Sequence, residues 1–162
     1  MTTFDRFSSE QIRAHRETVL LRLLLRVQQL ETAELVRRLA ANGHADVRTS
    51  YIGLLGNVDT EGTRLVTLAQ RTGNTRQAAS QMVAEIESRG YLERTPDPDD
   101  KRAVLVRHTA AGRALLNDAL EAMADIEAGY ATLVGEKKLA AVKQVLATIA
   151  DQVGPGSKLG EL

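Results

Sequence analysis

The sequence predicts a mainly α-helical chain with a small β-hairpin near its middle, and three observations predict it. Alanine and leucine dominate while aromatic residues make up only 3%, a composition that favours helices. Apolar residues recur at three- and four-residue steps along most of the 162 residues, the period of an amphipathic helix. The exception is RTPDPDDKRAVLV, residues 94–106, where two prolines and three aspartates lead through Lys-Arg into a β-branched run, as in a stiffened loop between two strands.

In chain order, Ile12, Val19, Leu20, Leu23, Leu24, Val27, Leu30, Leu35, Val36 and Leu39 predict one long helix from about Ser9 to Ala41, stopped at Asn42-Gly43. Such a helix outruns a small core, so part of its stripe, Leu20, Leu23 and Val27, is expected to meet a second chain. A shorter helix follows from Asp46 to about Asn57, with Val47, Tyr51, Leu54 and Leu55 inward, and another from Arg64 to Arg71. Thr72-Gly73 interrupts the pattern before a helix from Thr75 to Arg89, which Gly90 stops. Tyr91–Thr95 and Ala103–Arg107 read as strands on either side of the loop, where Asp97 and Pro98 supply turn chemistry. Thr109 caps a helix through about Leu133, and after Gly135 a last helix runs from Glu136 to Val153. There Leu139, Val142, Leu146 and Ile149 alternate as in a coiled-coil seam. Two helices joined by a glycine-containing turn and followed by a hairpin make a winged helix-turn-helix, bracketed by amino- and carboxyl-terminal dimerisation helices.

Composition narrows the chemistry. Lys plus Arg number 21 and Asp plus Glu also 21, so any attraction to a polyanion must come from local segregation of charge. Residues 62–113 hold nine Lys/Arg against six Asp/Glu, whereas residues 114–162 hold four against seven. There is no cysteine, which removes disulfides, thiol redox sensing and thiolate metal sites. With three histidines, His15, His44 and His108, no metal site is expected. No run approaches the length of a membrane span, and MTTFDRFSSE lacks the features of a signal peptide, so a cytoplasmic protein without membrane contact is expected. No nucleophile elbow, phosphate-cradling loop or His-Glu-x-x-His pattern occurs; neither an enzyme nor a cofactor is expected.

The helix from Thr75 carries the functional constellation. Ala79, Met82, Val83 and Ile86 form its inward stripe, leaving Arg76, Gln77, Ser80 and Gln81 outward, with Thr75 placed to cap it. Arginine can donate twice to guanine, and glutamine can both donate to and accept from adenine. Taken alone, this face fits a solvated amphipathic helix equally well. The hairpin adds Asp100, Lys101 and Arg102, where an arginine can enter a minor groove; taken alone, it fits a solvated hairpin with an ion pair of little energy.

Residues 68–112, LAQRTGNTRQAASQMVAEIESRGYLERTPDPDDKRAVLVRHTAAG, resemble the winged helix-turn-helix of MarR-type transcription regulators. The Leu-Ala start, GYLER, the DPDDKR wing and the Thr-x-x-Gly of the next helix carry the resemblance, which extends more weakly over residues 10–150. It implies a homodimer with interlocked terminal helices, whose winged lobes enter adjacent major grooves of a pseudo-palindromic double-stranded operator. It also implies that Thr75, Arg76, Gln77, Ser80 and Gln81 face bases and phosphates, and that Arg102, held by Asp100, is the wing-tip contact. A small-molecule effector between the dimer helices and the lobe is a further implication; Tyr51 reads as core and His15 and Arg16 as solvated, so no ligand residue is assigned. Two positions depart from the pattern: Asn74 stands for an apolar residue in the turn, and His108 for a leucine, read as a hydrogen-bonded, half-buried ring or as a site of pH sensitivity.

The expected organisation is therefore an amino-terminal dimerisation helix in 1–45, a DNA-binding lobe in 46–108, carboxyl-terminal dimerisation helices in 109–153 and a tail in 154–162. The expected function is that of a ligand-responsive dimeric DNA-binding regulator, read as a repressor. The alternative is a winged-helix module that binds a protein; salt dependence separates the two, because phosphate contacts release counterions.

Overall fold

The computed structural model describes residues 8–98, 100 and 103–152, with all their side chains except those of Ser9, His15, Arg16 and Glu17. Helix α1 (Ser9–Thr18) is followed by α2 (Leu20–Ala41), so the single helix expected over this span is broken at Val19. That residue is extended, at φ −72° and ψ 126°. Thr18 and Val19 are adjacent β-branched residues, which crowd a helical backbone. The Val19 carbonyl restarts the helix by accepting from the N–H groups of Arg22 and Leu23, at 2.9 and 3.1 Å.

The lobe follows as α3 (Thr49–Leu55), β1 (Thr63–Arg64), α4 (Leu65–Arg71), α5 (Arg76–Ser88), β2 (Leu92–Pro96) and β3 (Val104–His108). Strand β1 was not expected from the sequence, because two residues are too few to display an alternation. It makes the hairpin a three-stranded antiparallel sheet in the order β1-β3-β2, with Arg64 opposite Leu105 and Arg94 opposite Val106. Gly73 adopts φ +65° in the turn between α4 and α5, a conformation that glycine reaches without steric cost.

Leu39, Tyr51, Leu54, Leu68, Val83, Ile86, Leu92 and Val106 form the innermost core. Each such side chain contributes about 1.5–3 kcal/mol by leaving water. Tyr51 belongs to this core, as expected. Its hydroxyl donates to Glu85 at 2.9 Å, fixing α3 against the back of α5.

Helix α6 (Ala110–Val134) starts at the cap expected at Thr109, and α7 (Glu136–Gln152) follows Gly135. Thr109 Oγ1 accepts from the Gly112 N–H at 3.0 Å and donates to the Gly90 carbonyl, while the Thr109 N–H reaches the Tyr91 carbonyl at 3.1 Å. The Thr-x-x-Gly signal is thus a joint between the first turn of α6 and the root of β2. Nearby, the His44 ring lies 3.2 Å from the Tyr91 hydroxyl and 3.1 Å from an Asp118 carboxylate oxygen.

The chain divides into two compact units between Leu120 and Glu121. In the second, α6 and α7 are joined by an ion pair between Glu127 and Lys143. Helix α7 buries none of its residues. Val142 and Ile149 are exposed and Leu139 and Leu146 half-buried, while in α2 Leu20, Leu23 and Val27 are all exposed. Val153, the expected end of the seam, and the tail lie outside the described residues.

Candidate nucleic-acid interface

Helix α5 begins where its sequence predicts. Thr75, extended at φ −68° and ψ 153°, accepts the Ala78 N–H on its hydroxyl at 3.1 Å, a cap that contributes about 1 kcal/mol. Asn74 does not enter the core. It is exposed and donates to Thr72 Oγ1 at 3.0 Å, so a polar bond closes the turn in place of an apolar contact.

The helix turns Ala79, Val83 and Ile86 fully inward, with Met82 half-buried. Arg76, Gln77 and Gln81 are exposed as expected, and no acidic residue occupies the first turn. Ser80 is half-buried, and its carbonyl accepts from Arg94 Nη2 at 3.0 Å. Of the expected face, Ser80 is therefore the least available to a ligand.

The sheet supplies the other wall. A groove of about 490 Å³ runs between the starts of α4 and α5 and the hairpin, lined by Arg64, Leu65, Val66, Thr67, Arg76, Arg94, Ala103, Val104 and Val106. Three guanidinium-bearing residues from three elements thus rim one groove. Exposed apolar side chains, Val66 and Val104, line it as well. Arg76 and Ala103 share this groove, so the start of α5 and the strand leaving the wing loop open onto the same space.

Lys101 and Arg102, the expected wing contacts, lie outside the described residues; Asp100 is exposed. The loop is closed by the Asp97 N–H donating to the Ala103 carbonyl at 3.1 Å and the Ala103 N–H donating to the Asp100 carbonyl at 2.8 Å. Arg94 is held by Glu87 of α5, at 2.8 Å, and the Glu87 carboxylate also accepts the Arg94 backbone N–H at 3.2 Å. Asp97 does more than shape a turn: it is buried at 4% exposure, and its carboxylate accepts from Arg64 Nε at 2.7 Å.

His108 also departs from expectation. At 7% exposure it is buried rather than half-buried, and among the described residues neither ring nitrogen has a hydrogen-bond partner. Burial lowers its pKa from the ordinary 6.5, outweighing the Leu55 and Val58 backbone groups that favour the protonated ring, and nearby Arg113 lowers it further. Among the described residues no cluster of three or more His, Cys, Asp or Glu could hold a metal ion, and no helix is long and apolar enough to cross a membrane.

A helix-turn-helix whose second helix shares an arginine-rimmed groove with a β-hairpin is the winged helix-turn-helix architecture found in DNA-binding transcription regulators. The model of the MarR family matches residues 45–103, from the approach to α3 to the end of the wing loop. Over those residues the chain is similar to the MarR family. Among solved structures it is similar to the transcriptional repressor CouR bound to a 23-mer DNA duplex, at 27% identity and a TM-score of 0.68 over 84% of this chain and 95% of that one. It shares its fold with a mutant MarR from E. coli complexed with operator DNA, at 23% identity and a TM-score of 0.68 over 84% and 97% of the two chains. The fold also recurs in the PcaV transcriptional regulator from Streptomyces coelicolor in complex with its natural ligand, at 20% identity and a TM-score of 0.65 over 86% and 96%. No curated protein matches the chain.

Proposed function

We propose that this protein is a homodimeric, sequence-specific regulator of transcription that represses from a pseudo-palindromic operator and releases it when a small molecule binds. The observation that carries the proposal is the common opening of Arg76 and of the wing strand onto one arginine-rimmed groove, with Gln77 and Gln81 exposed on the same helix. On this reading Arg76, Gln77 and Gln81 contact base edges in the major groove, Thr75 and the free N–H groups of the first turn of α5 meet a phosphate, and Arg102, held by Asp100, contacts the adjacent minor groove. Ser80 borders the same contact.

Dimerisation is supported by the apolar stripe of Leu20, Leu23 and Val27 on α2 and of Val142 and Ile149 on α7, which the single chain leaves exposed. Leu139 and Leu146, half-buried, complete the seam on α7. Paired lobes would set two α5 helices about 34 Å apart, one turn of duplex. Repression and ligand response are supported by likeness to a repressor seen on duplex DNA and to a regulator seen with its ligand.

The test is selection of duplexes from a random pool, followed by binding measurements over a range of salt. A DNA reader yields a two-fold motif and loses affinity steeply as salt rises. Arg76→Ala and Gln77→Ala should alter preference at individual base pairs, and Arg102→Ala should weaken binding with little change of preference. Absence of any duplex affinity would refute the reading in favour of a protein-binding module.

A further inference from the structure

The wing loop is anchored to the body of the lobe by a bond between residues far apart in sequence. Asp97 is bracketed by Pro96 and Pro98, so its backbone is confined to extended geometry and a displacement of its side chain passes into the loop. Its carboxylate is buried, whereas the side chain of its partner Arg64 is about half exposed, at 49%. A buried carboxylate requires a cationic or hydrogen-bonding partner, and Arg64 provides one from the junction of β1 and α4, where its own backbone is the extended cap of that helix, at φ −64° and ψ 140°. The second anchor, Arg94, ties β2 to Glu87 and to the Ser80 carbonyl of α5. The hairpin is therefore fixed to α5 through Arg94 and to the start of α4 through Asp97, and the second bond reaches the loop itself.

We propose that Arg64 and Asp97 are a positioning pair for DNA recognition: their bond sets the pose of the wing loop relative to α5, and with it the contact made by the loop's cations. The inference rests on the proposed DNA contact of Arg102. Asp97 is buried and cannot touch a duplex, so any effect of changing it on affinity acts through another group. The sign of that effect is diagnostic. Replacing Asp97 by asparagine removes a negative charge from a cationic face, which by electrostatics alone tightens DNA binding; loss of the wing's pose weakens it.

The experiment measures affinity and its salt dependence for Asp97→Asn, Arg102→Ala and the double variant, on a duplex selected from a random pool by the parent protein. Asp97→Asn is expected to bind roughly tenfold more weakly with a salt slope lower by about 1, to keep the parent's base preference, and to have no further effect once Arg102 is alanine. Arg64→Lys keeps the charge but loses the planar fork; it should fall between parent and Asp97→Asn, and it serves as the second variant should Asp97→Asn fail to fold. Parent-like or tighter binding by Asp97→Asn, or a loss fully additive with Arg102→Ala, overturns the positioning role. If Arg102→Ala itself binds as the parent does, the wing contact proposed above has failed, and the pair's role in recognition falls with it.

Discussion

Replacing Gly112 with alanine offers a sharp test of the joint between α6 and the hairpin. In an unconstrained helix the change stabilises by about 1 kcal/mol, because glycine is the poorer helix former. At Gly112 the new Cβ would collide with the Tyr91 carbonyl oxygen and come within 3.0 Å of the carbonyl carbon and 3.1 Å of His108 Nδ1. The obstacle is backbone, so no rotamer change relieves it. The first turn of α6 would have to move off the root of β2, at an overpacking cost of about 1–3 kcal/mol. That movement also strains the Thr109 bonds to Gly90 and Tyr91, each contributing about 1 kcal/mol. The expected net loss is about 2 kcal/mol, a fall in melting temperature of about 4–8 °C for a chain of this size. Gly129, in the same helix with nothing within 4 Å of its would-be Cβ, is the matched control and should gain up to about 1 kcal/mol as alanine. Urea titration followed by circular dichroism measures both. A Gly112→Ala variant as stable as its Gly129→Ala counterpart would refute the close packing.

Three further outcomes are expected. The folded state lowers the pKa of His108 below its unfolded 6.5, so the unfolded chain binds that proton more tightly and stability rises with pH across the interval between the two values. Stability is therefore lost as pH falls through 6.5 towards the folded value; His108→Leu should remove that component and, because neither ring nitrogen is hydrogen-bonded among the described residues, raise stability at neutral pH by about 1 kcal/mol. A His108→Leu protein with an unchanged pH–stability profile contradicts this. Thr75→Ala should cost about 1 kcal/mol through the lost cap and lower duplex affinity, whereas Thr75→Ser should restore both; equal affinities for all three would exclude a role for the helix start. Deleting the residues after Gly135 should abolish dimerisation by removing the seam of α7, and sedimentation of an intact dimer would overturn that assignment.

What the sequence discloses here is governed by range. Contacts within a few residues leave a periodic or compositional trace: the inward stripe of α5, its Thr75 cap, the stop at Gly135 and the Thr109 start of α6 were all legible. The break at Val19 was not, because apolar periodicity continues across it while the backbone departs from the helix. Strand β1 is too short to carry a pattern. Arg64 and Asp97 are 33 residues apart, and nothing local to either distinguishes a buried ion pair from a helix start and a turn. The same holds for His44, whose partners lie 47 and 74 residues away. The full burial of His108, with no hydrogen bond to either ring nitrogen among the described residues, was likewise beyond reach, since neither leaves a local trace in sequence.

The outer margin of β2 has a consequence for solubility. A strand at the edge of a sheet offers unpaired amides to any other strand, the usual seed of edge-to-edge aggregation. Here the Arg94 N–H is occupied by a carboxylate oxygen of Glu87, and two residues on, facing the same way, Pro96 has no N–H to offer. The margin of β2 is thereby a poor template for a further strand.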